Sequence, residues 1–343
     1  MEKFEKVLEK YNYNLPEKLI AKKPSLPRDM AKLLIYKKNE NEIIFDKFIN
    51  IAKYLPKNSV LVFNETKVLL ARLMLKKETG GKVKILYLQK KFGLLEVLAD
   101  RKLNISSELI LNNKIKFLVV SHKEKFYYLK PLFKTDFFRI LEKYGEAPIP
   151  PYIKNSPLNK KELKEKYQTI FAKYSGSVAA PTASLHFTKR VFNNLKKAGI
   201  DAKFITLHIG LGTFSTLTEE NFINKKLHQE FYNIDKKTAE FLNKSKKNGK
   251  IIIGVGTTVV RTLESASKSG QLKNLTGNTD IFITKGYKFD FIDGMVTNFH
   301  LPKSSLLMLV AAFLGRQEVL KIYKKAIDKK FEFYSFGDGM LIM

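Results

Sequence analysis

The sequence predicts an α/β main domain interrupted by a small antiparallel β-barrel. Three observations carry this prediction. Strands and helices alternate in residues 154–343 and in the first 60 residues, whereas residues 66–147 contain short β-rich runs close together. A proline-rich stretch at 145–153 follows those runs as an exit linker. We therefore expect a discontinuous α/β domain formed by residues 1–62 and 150–343, with the barrel at 63–149.

The main domain is predicted from buried strands and amphipathic helices. Residues 60–65 form a short apolar run between turn-forming residues, which is typical of a buried strand. Residues 251–256 read as a strand that leads directly into a helix. Further helices are expected at 188–198 before Gly199, after a cap at Asp235, and at 317–328.

The barrel is predicted from alternating apolar residues and regular turns. Ile115, Phe117 and Val119 alternate with polar residues, and Gly80–Gly81 and Asn112–Asn113 lie at turns. The expected strands are residues 83–88, 94–100, 108–111, 114–120 and 125–130.

Composition restricts the function classes. The net charge of +29, from 62 Lys+Arg against 33 Asp+Glu, favours polyanions such as nucleic acid. Lysine dominates this excess, which is also typical of an AT-rich genome, so charge alone argues only modestly for nucleic acid. The absence of cysteine excludes disulfides, thiolate catalysis, zinc knuckles and iron–sulfur clusters.

Targeting signals are not evident in the sequence. The charged N-terminus lacks the apolar segment of a signal peptide. The longest apolar run, residues 306–314, is too short to span a bilayer. We therefore expect a cytoplasmic protein with no membrane contact.

Four of the five histidines lie in unusual blocks. His186, His208 and His300 each occur with Thr, Gly or Pro in a short non-periodic run, and His228 lies in residues 227–231. Gly and Pro weaken helices and strands, so such runs favour loops that present groups to a ligand. For a single histidine, a satisfied interior position is the more common explanation. Four blocks together predict that the loops converge in one polar pocket.

Two further patterns bear on binding. On a strand, His228 and Glu230 would face the same side, to orient an imidazole or hold a ribose hydroxyl, although a plain surface pair fits equally well. Residues 254–265 form a glycine-containing turn between a strand and a helix, where Thr257, Thr258 and Arg261 could hold a carboxylate. The alternative for this turn is a tight structural connection.

Known cofactor and metal motifs do not match. Val259 stands where a dinucleotide fingerprint needs its third glycine, and no Gly-Lys-Ser/Thr follows as in a phosphate loop. Neither HxH nor HExxH occurs, and the histidines have no carboxylate cluster beside them, so we expect no metal site.

Several long blocks resemble one family. The S-adenosylmethionine:tRNA ribosyltransferase-isomerases of queuosine biosynthesis share these blocks in this order: LPEKLIAKKP, VFNETKVLLARL, GEAPIPPYI, YQTIFA, AAPTASLHFT, TLHIGLGTF, GVGTTVVRTLES, TNFHLPKSSLLMLVAAF and YSFGDGMLI. The blocks cover both ends and most of the middle of the chain. Ser184 and Lys225 depart from the family pattern, which has Gly and His at these places.

The resemblance implies an α/β fold interrupted by a β-barrel, and a specific reaction. The family transfers the ribosyl portion of S-adenosylmethionine to 7-aminomethyl-7-deazaguanine at the first anticodon position of tRNA, and rearranges the sugar to an epoxycyclopentane. The products are epoxyqueuosine in tRNA, adenine and methionine. S-adenosylmethionine is thus a co-substrate, the partner is tRNA that carries the precursor base, no metal is expected, and we expect a monomer.

The site residues are hypotheses from the residues and the matching blocks. The general base is expected among the four histidines, with His186 and His300 preferred over His208 and His228. The co-substrate is expected to contact Pro181, Thr182, Gly210, Gly212, Thr213, Glu230, Gly256, Thr257 and Arg261. The RNA or its modified base is expected to contact Arg72, Asn298, Lys303 and Asp338, of which Asp338 lies between two glycines in residues 334–342.

Two rival functions remain open from the sequence. One is an ordinary S-adenosylmethionine methyltransferase, which would release S-adenosylhomocysteine rather than adenine and methionine. The early strand and GxGxG loop of that class are not found. The other is a non-catalytic RNA-binding protein that uses the barrel, for which the polar, glycine-containing blocks outside the barrel would be unnecessary. An inactive member of the family is a third possibility.

Overall fold

The computed structural model describes residues 3–150, 153, 156–210 and 217–343. The helices are α1 (Phe4–Glu9), α2 (Phe137–Tyr144), α3 (Lys160–Lys166), α4 (Lys189–Lys197), α5 (Glu219–Asn224), α6 (Lys236–Lys247), α7 (Thr257–Ala266), α8 (Ser305–Leu314) and α9 (Arg316–Asp328). The strands are β1 (Lys32–Lys37), β2 (Glu42–Lys47), β3 (Ser59–Asn64), β4 (Thr66–Val68), β5 (Arg72–Lys77), β6 (Lys82–Lys91), β7 (Leu94–Ala99), β8 (Glu108–Leu111), β9 (Ile115–Lys123), β10 (Phe126–Pro131), β11 (Tyr174–Ser177), β12 (Asp201–Leu207), β13 (Lys226–Asn233), β14 (Ile251–Val255), β15 (Ser267–Lys268), β16 (Gln271–Leu272), β17 (Thr276–Ile281), β18 (Gly294–Asn298) and β19 (Gly339–Ile342).

A nine-stranded mixed sheet forms the larger part of the molecule. Its strand order is β17-β13-β12-β3-β14-β18-β19-β1-β2. The central strands β12, β3, β14 and β18 are parallel, so their carboxyl ends lie at one edge of the sheet. Strand β19 runs antiparallel to β18 and pairs Gly339 with Asn298, which brings the start of β19 to the same edge.

The sheet is buried on both faces, as expected for an α/β domain. Strand β3 is buried along its whole length. Val60 and Val62 belong to one hydrophobic core and Leu61 and Phe63 to another, because successive side chains of a strand point to opposite faces. The predicted α/β architecture of the main domain is confirmed.

The predicted antiparallel barrel is also confirmed. Six strands close in the order β10-β7-β6-β5-β8-β9. Their alternate residues fill one hydrophobic core, which includes Leu73, Leu75, Val83 and Ile85. Five of the six strands were expected, and β5 was missed. The domain boundaries at 62–63 and 149–150 stay a prediction.

The helix expectations agree with the structure. Helix α6 begins after Asp235, whose side chain accepts a hydrogen bond from the Thr238 amide at 2.9 Å. Helices α4 and α9 occupy 189–197 and 316–328. Strand β14 leads into α7 through Gly256. Within the described ranges, no helix has the length and apolar character needed to cross a membrane.

Candidate functional site

A cavity of about 230 Å³ lies at the carboxyl edge of the parallel strands. Its walls come from the segment before α4, from the turn between β14 and α7, and from the residues that follow β18. Ligands of open α/β sheets bind outside the carboxyl ends of the strands, where the connections leave room between them. This cavity therefore has the position expected of a substrate site.

Seven of the predicted site residues line this cavity. They come from three separate blocks of the sequence: Pro181, Thr182, Gly256, Thr257, Asn298, His300 and Lys303. Apolar side chains such as Ile209 and Phe299 make up much of the remaining wall. A mostly apolar wall with a few convergent polar groups is typical of a pocket for a small molecule.

His300 is the histidine that reaches the cavity. Its backbone amide donates to the Tyr323 hydroxyl at 3.0 Å, and its carbonyl accepts from the Tyr13 hydroxyl. The ring Nε2 lies 2.8 Å from the Thr297 Oγ1. Burial lowers the pKa of His300 to about 3, so the imidazole is neutral near pH 7. A neutral imidazole in a fixed position can accept a proton without first losing one.

His186 lies behind the cavity wall. Its Nε2 is 3.4 Å from the Asn298 amide nitrogen, and its Nδ1 is 3.4 Å from the Arg28 carbonyl oxygen. Its ring packs against that of Phe48, with centroids 4.7 Å apart. Burial lowers the pKa of His186 to about 4. Because Asn298 also accepts from the Thr182 hydroxyl at 2.8 Å, His186 supports two residues of the cavity wall from behind.

The remaining two histidines lie elsewhere. The His208 Nδ1 is 2.9 Å from the Thr66 Oγ1, and burial lowers the pKa of this histidine. Gly176 packs so closely on its ring that a Cβ there would lie 2.5 Å from Nδ1. His228 is exposed on β13, whereas Glu230 two residues later is buried. The structure thus brings one of the four imidazoles into the cavity and places a second behind it.

A buried ion pair lies beside α7, one helical turn after the cavity-lining Thr257. Arg261 donates from Nη1 to Glu230, and the second carboxylate oxygen of Glu230 accepts from the Gly210 amide at 2.8 Å. The Nε and Nη2 atoms of Arg261 are buried and have no hydrogen-bond partner among the described residues. Buried guanidinium donors without partners are costly, and a carboxylate or phosphate would satisfy them.

The predicted residues Gly212 and Thr213 lie outside the described residues. Gly210 lies two positions before Gly212 and belongs to the same predicted loop. Its amide is bonded to Glu230, so the start of this loop is fixed to the buried ion pair.

Asp338 and Arg72 have structural contacts. The two carboxylate oxygens of Asp338 accept from the amides of Lys32 at 2.6 Å and Glu332 at 2.7 Å. Burial raises the pKa of Asp338 to about 6. Arg72 donates from Nη2 to the Ile149 carbonyl at 2.7 Å and so joins the barrel entrance to its exit. Neither side chain lines the cavity.

Several groups at the site were not found from the sequence. Tyr13 bonds His300 from 287 positions away, and no local pattern marks it. Thr297 lies next to a predicted residue but was not assigned a role. Ser184, the departure from the family glycine, is fully buried and its hydroxyl has no partner among the described residues. No cluster of three or more His, Cys, Asp or Glu side chains suited to a metal occurs in the described part of the chain.

Comparisons with known proteins identify relatives over nearly the whole chain. A family model described as queuosine biosynthesis protein matches residues 8–342. Curated relatives named S-adenosylmethionine:tRNA ribosyltransferase-isomerase include one from Carboxydothermus hydrogenoformans, 44% identical over 98% of this chain and 99% of its own length. Another, from Aquifex aeolicus, is 41% identical with the same coverage. A crystal structure of S-adenosylmethionine tRNA ribosyltransferase from Thermotoga maritima is 30% identical, with a TM-score of 0.57, and the match covers 97% of this chain and 100% of that one.

Proposed function

The chain belongs to the queuosine biosynthesis protein family, and from this premise we propose that it is an S-adenosylmethionine:tRNA ribosyltransferase-isomerase. It transfers the ribosyl portion of S-adenosylmethionine to 7-aminomethyl-7-deazaguanine in the tRNA anticodon. The sugar is rearranged to the epoxycyclopentane of epoxyqueuosine, and adenine and methionine leave. The observation that carries the proposal is the cavity at the sheet edge, lined by seven of the predicted site residues.

The first chemical step is removal of a proton from the 5′ carbon of the co-substrate. The positive sulfonium acidifies the neighbouring C–H, so one positioned base is sufficient. We assign this role to His300, because it is the one of the four predicted histidines that lines the cavity. The contacts with Tyr13, Tyr323 and Thr297 fix its backbone and ring. Loss of adenine then opens the sugar to attack by the amine of the modified base.

Asn298 and Thr182 hold polar groups of the sugar or the base in this proposal. Their mutual hydrogen bond and the support from His186 fix both side chains in the cavity wall. Preorganised hydrogen-bond partners of this kind orient a substrate without paying for their own reorganisation. His186 therefore acts as a positioning residue for Asn298.

Arg261 holds the methionine carboxylate or a tRNA phosphate. Its Nε and Nη2 donors have no partner among the described residues and lie side by side in one planar group, which matches the two oxygens of a carboxylate. Glu230 keeps the guanidinium in place and balances its charge before the ligand arrives. Gly256 and Thr257 lie at the start of the same helix, whose amide groups favour an anion.

The RNA is held through phosphates by surface lysines near the cavity, including Lys303. Counterion release then makes the logarithm of the binding constant fall with that of the salt concentration, by a slope of roughly 0.7–0.9 per phosphate contact. A binding constant that is indifferent to salt contradicts this part of the proposal. The protein acts in the cytoplasm, where its tRNA substrate is found.

Product analysis tests the proposed reaction. The protein is incubated with S-adenosylmethionine and tRNA that carries the aminomethyl precursor, and the digested nucleosides are analysed by mass. We expect epoxyqueuosine, with adenine and methionine released in equal amounts. Release of S-adenosylhomocysteine would indicate methyl transfer instead, and an unchanged nucleoside would indicate a protein that only binds RNA.

A further inference from the structure

The β6–β7 hairpin carries an exposed aromatic side chain at its tip. Phe92 has a relative exposure of 102%, the largest among the exposed large hydrophobic residues of the described chain. Lys90, Lys91 and Gly93 beside it are exposed as well. An isolated exposed apolar residue is common on a protein surface, so exposure alone does not indicate a function.

The backbone of this turn makes the choice of phenylalanine unusual. Phe92 has a φ of +48° and Gly93 a φ of +81°, so both central residues of the turn are left-handed. Two-residue turns of this kind favour Asn or Asp followed by Gly, because a bulky side chain is strained at positive φ. The β8–β9 hairpin of the same barrel uses Asn112 and Asn113, at φ values of +50° and +59°.

The base of the hairpin is held by a buried carboxylate. Glu96 is 6% exposed, and its two oxygens accept from Gln89 on β6 and from the Tyr128 hydroxyl on β10, the latter at 3.0 Å. Lys91 Nζ lies 3.8 Å from the same carboxylate. These contacts join β6, β7 and β10 directly below the tip. They therefore hold the hairpin in a fixed position where it extends beyond the barrel.

The hairpin projects from the end of the barrel that joins the sheet domain. Leu86 of β6 pairs with Arg72, the first residue of β5, and β6 continues to Lys91 beyond that pair. Arg72 also pairs with Glu146, where the chain leaves the barrel. The preceding strands β3 and β4 lead from the carboxyl edge of the sheet to this same end of the barrel.

From these observations we infer that Phe92 stacks on an unpaired base of the bound RNA, with Lys90 and Lys91 beside the adjacent phosphates. The choice of RNA as partner rests on the proposed function. An aromatic ring flanked by cations is the arrangement that binds single-stranded nucleic acid, because every base offers a flat face and every linkage a negative charge. In this inference, the contact of the ring with the RNA accounts for an exposed phenylalanine in a strained turn.

Substitution at Phe92 separates folding from binding. Phe92→Asn relieves the strain at positive φ, so the melting temperature is expected to stay equal or rise. Binding of a fluorescein-labelled anticodon stem-loop RNA, followed by anisotropy at one fixed salt concentration, is expected to weaken about 5- to 100-fold. Phe92→Leu is expected to lose binding almost as fully as Phe92→Asn, and Phe92→Tyr to retain it. The matched control is Phe138→Ala, which removes another exposed phenylalanine near the barrel and should leave the affinity unchanged.

The binding results of the Phe92 variants test base stacking independently of the proposed catalytic reaction. Native affinity in Phe92→Asn, or full retention in Phe92→Leu, overturns base stacking. Adenine release at saturating RNA should keep its maximal rate in Phe92→Asn, with a raised KM for RNA. If the native protein binds the stem-loop but releases no adenine, the proposed function fails while the stacking assignment is still decided by the binding series.

Discussion

The carboxyl edge of the sheet and the barrel differ in how many polar side chains they bury. At the sheet edge, His186, Asn298, Glu230, Arg261 and Asp338 are all buried and bonded to other groups. Between Arg72 and Pro131, which the structure describes completely, Glu96 is the only buried charged or polar side chain apart from the tyrosines Tyr87 and Tyr127. Burying polar groups costs free energy unless each finds a partner, so a concentration of them indicates a region built for chemistry.

This difference in buried polar groups indicates that the two regions have different functions. The barrel has a regular alternating core and presents its lysines and Phe92 on the outside. The sheet edge has an irregular wall made of loops and strand ends. We therefore assign bond making to the sheet edge and part of the RNA contact to the barrel. Four predictions test this comparison, in decreasing order of the expected effect.

The largest effect is expected for His300→Ala. Loss of the general base lowers the rate of adenine release by about 100- to 10,000-fold, with RNA binding unchanged. The matched control is His122→Ala, which removes the barrel histidine on β9. Equal loss of activity in both variants, or a near-native rate in His300→Ala, would contradict the assignment of the chemistry to the sheet edge.

The buried carboxylates of the two regions should differ in their contribution to stability. Glu230→Ala leaves Arg261 buried without its counter-charge, and should lower the free energy of unfolding by about 3–5 kcal/mol. Glu96→Ala in the barrel should cost only about 1–2 kcal/mol, because Gln89 and Lys91 are exposed and water replaces the carboxylate. Urea denaturation of both variants measures this difference, and equal losses would contradict it.

Asp338 should make stability depend on pH with an unusual sign. Its pKa in the folded protein is raised to about 6, whereas a carboxyl in an unfolded chain titrates near 4. Its stabilising contribution is therefore complete below about pH 4 and is lost as the pH rises through about 6. The stability advantage of the native protein over Asp338→Asn should shrink across this window. Urea denaturation between pH 4 and 7 measures it, and an advantage that grows with pH would have the wrong sign.

The smallest effect is expected for Ser184→Ala. This change removes a buried hydroxyl that has no hydrogen-bond partner among the described residues, so the protein should gain about 1 kcal/mol. Ser177→Ala is the matched control, because its hydroxyl contacts Thr66 at 2.7 Å and accepts from the Ile209 amide at 2.8 Å. The control should lose about 1–3 kcal/mol. Thermal melts of both variants with opposite shifts would support this account, whereas losses in both would contradict it.

The local patterns of the sequence predicted most of the fold. Strand β9 alternates apolar and polar residues, and helix α6 begins at an Asp cap, so each is specified within its own segment. Strand β5 also alternates, with Leu73 and Leu75 buried around exposed Met74. It begins inside the matching block that ends at Leu73, and the strand was missed there.

The site was harder to predict, because it depends on contacts between distant segments. Predicted residues from the blocks around Pro181, Gly256 and Asn298 line one cavity, because each of these blocks follows or faces a strand end. The blocks of His208 and His228 have similar composition, yet these side chains point to Thr66 and to solvent. The blocks that line the cavity differ from the others only in where their strand ends lie in three dimensions. The spacing of the blocks along the chain does not give that position.

The most direct test of the account is the fate of the hydrogen atoms at the 5′ carbon of the co-substrate. S-adenosylmethionine that carries deuterium in place of both 5′ hydrogen atoms is incubated with the protein and precursor tRNA. The deuterium content of the nucleoside product is then measured by mass spectrometry. We predict that the native protein removes one deuterium with a slowed rate, and that His300→Ala gives no such exchange while still binding both substrates. A product that retains both deuterium atoms, or equal exchange in His300→Ala, would contradict the assignment of proton removal to this cavity.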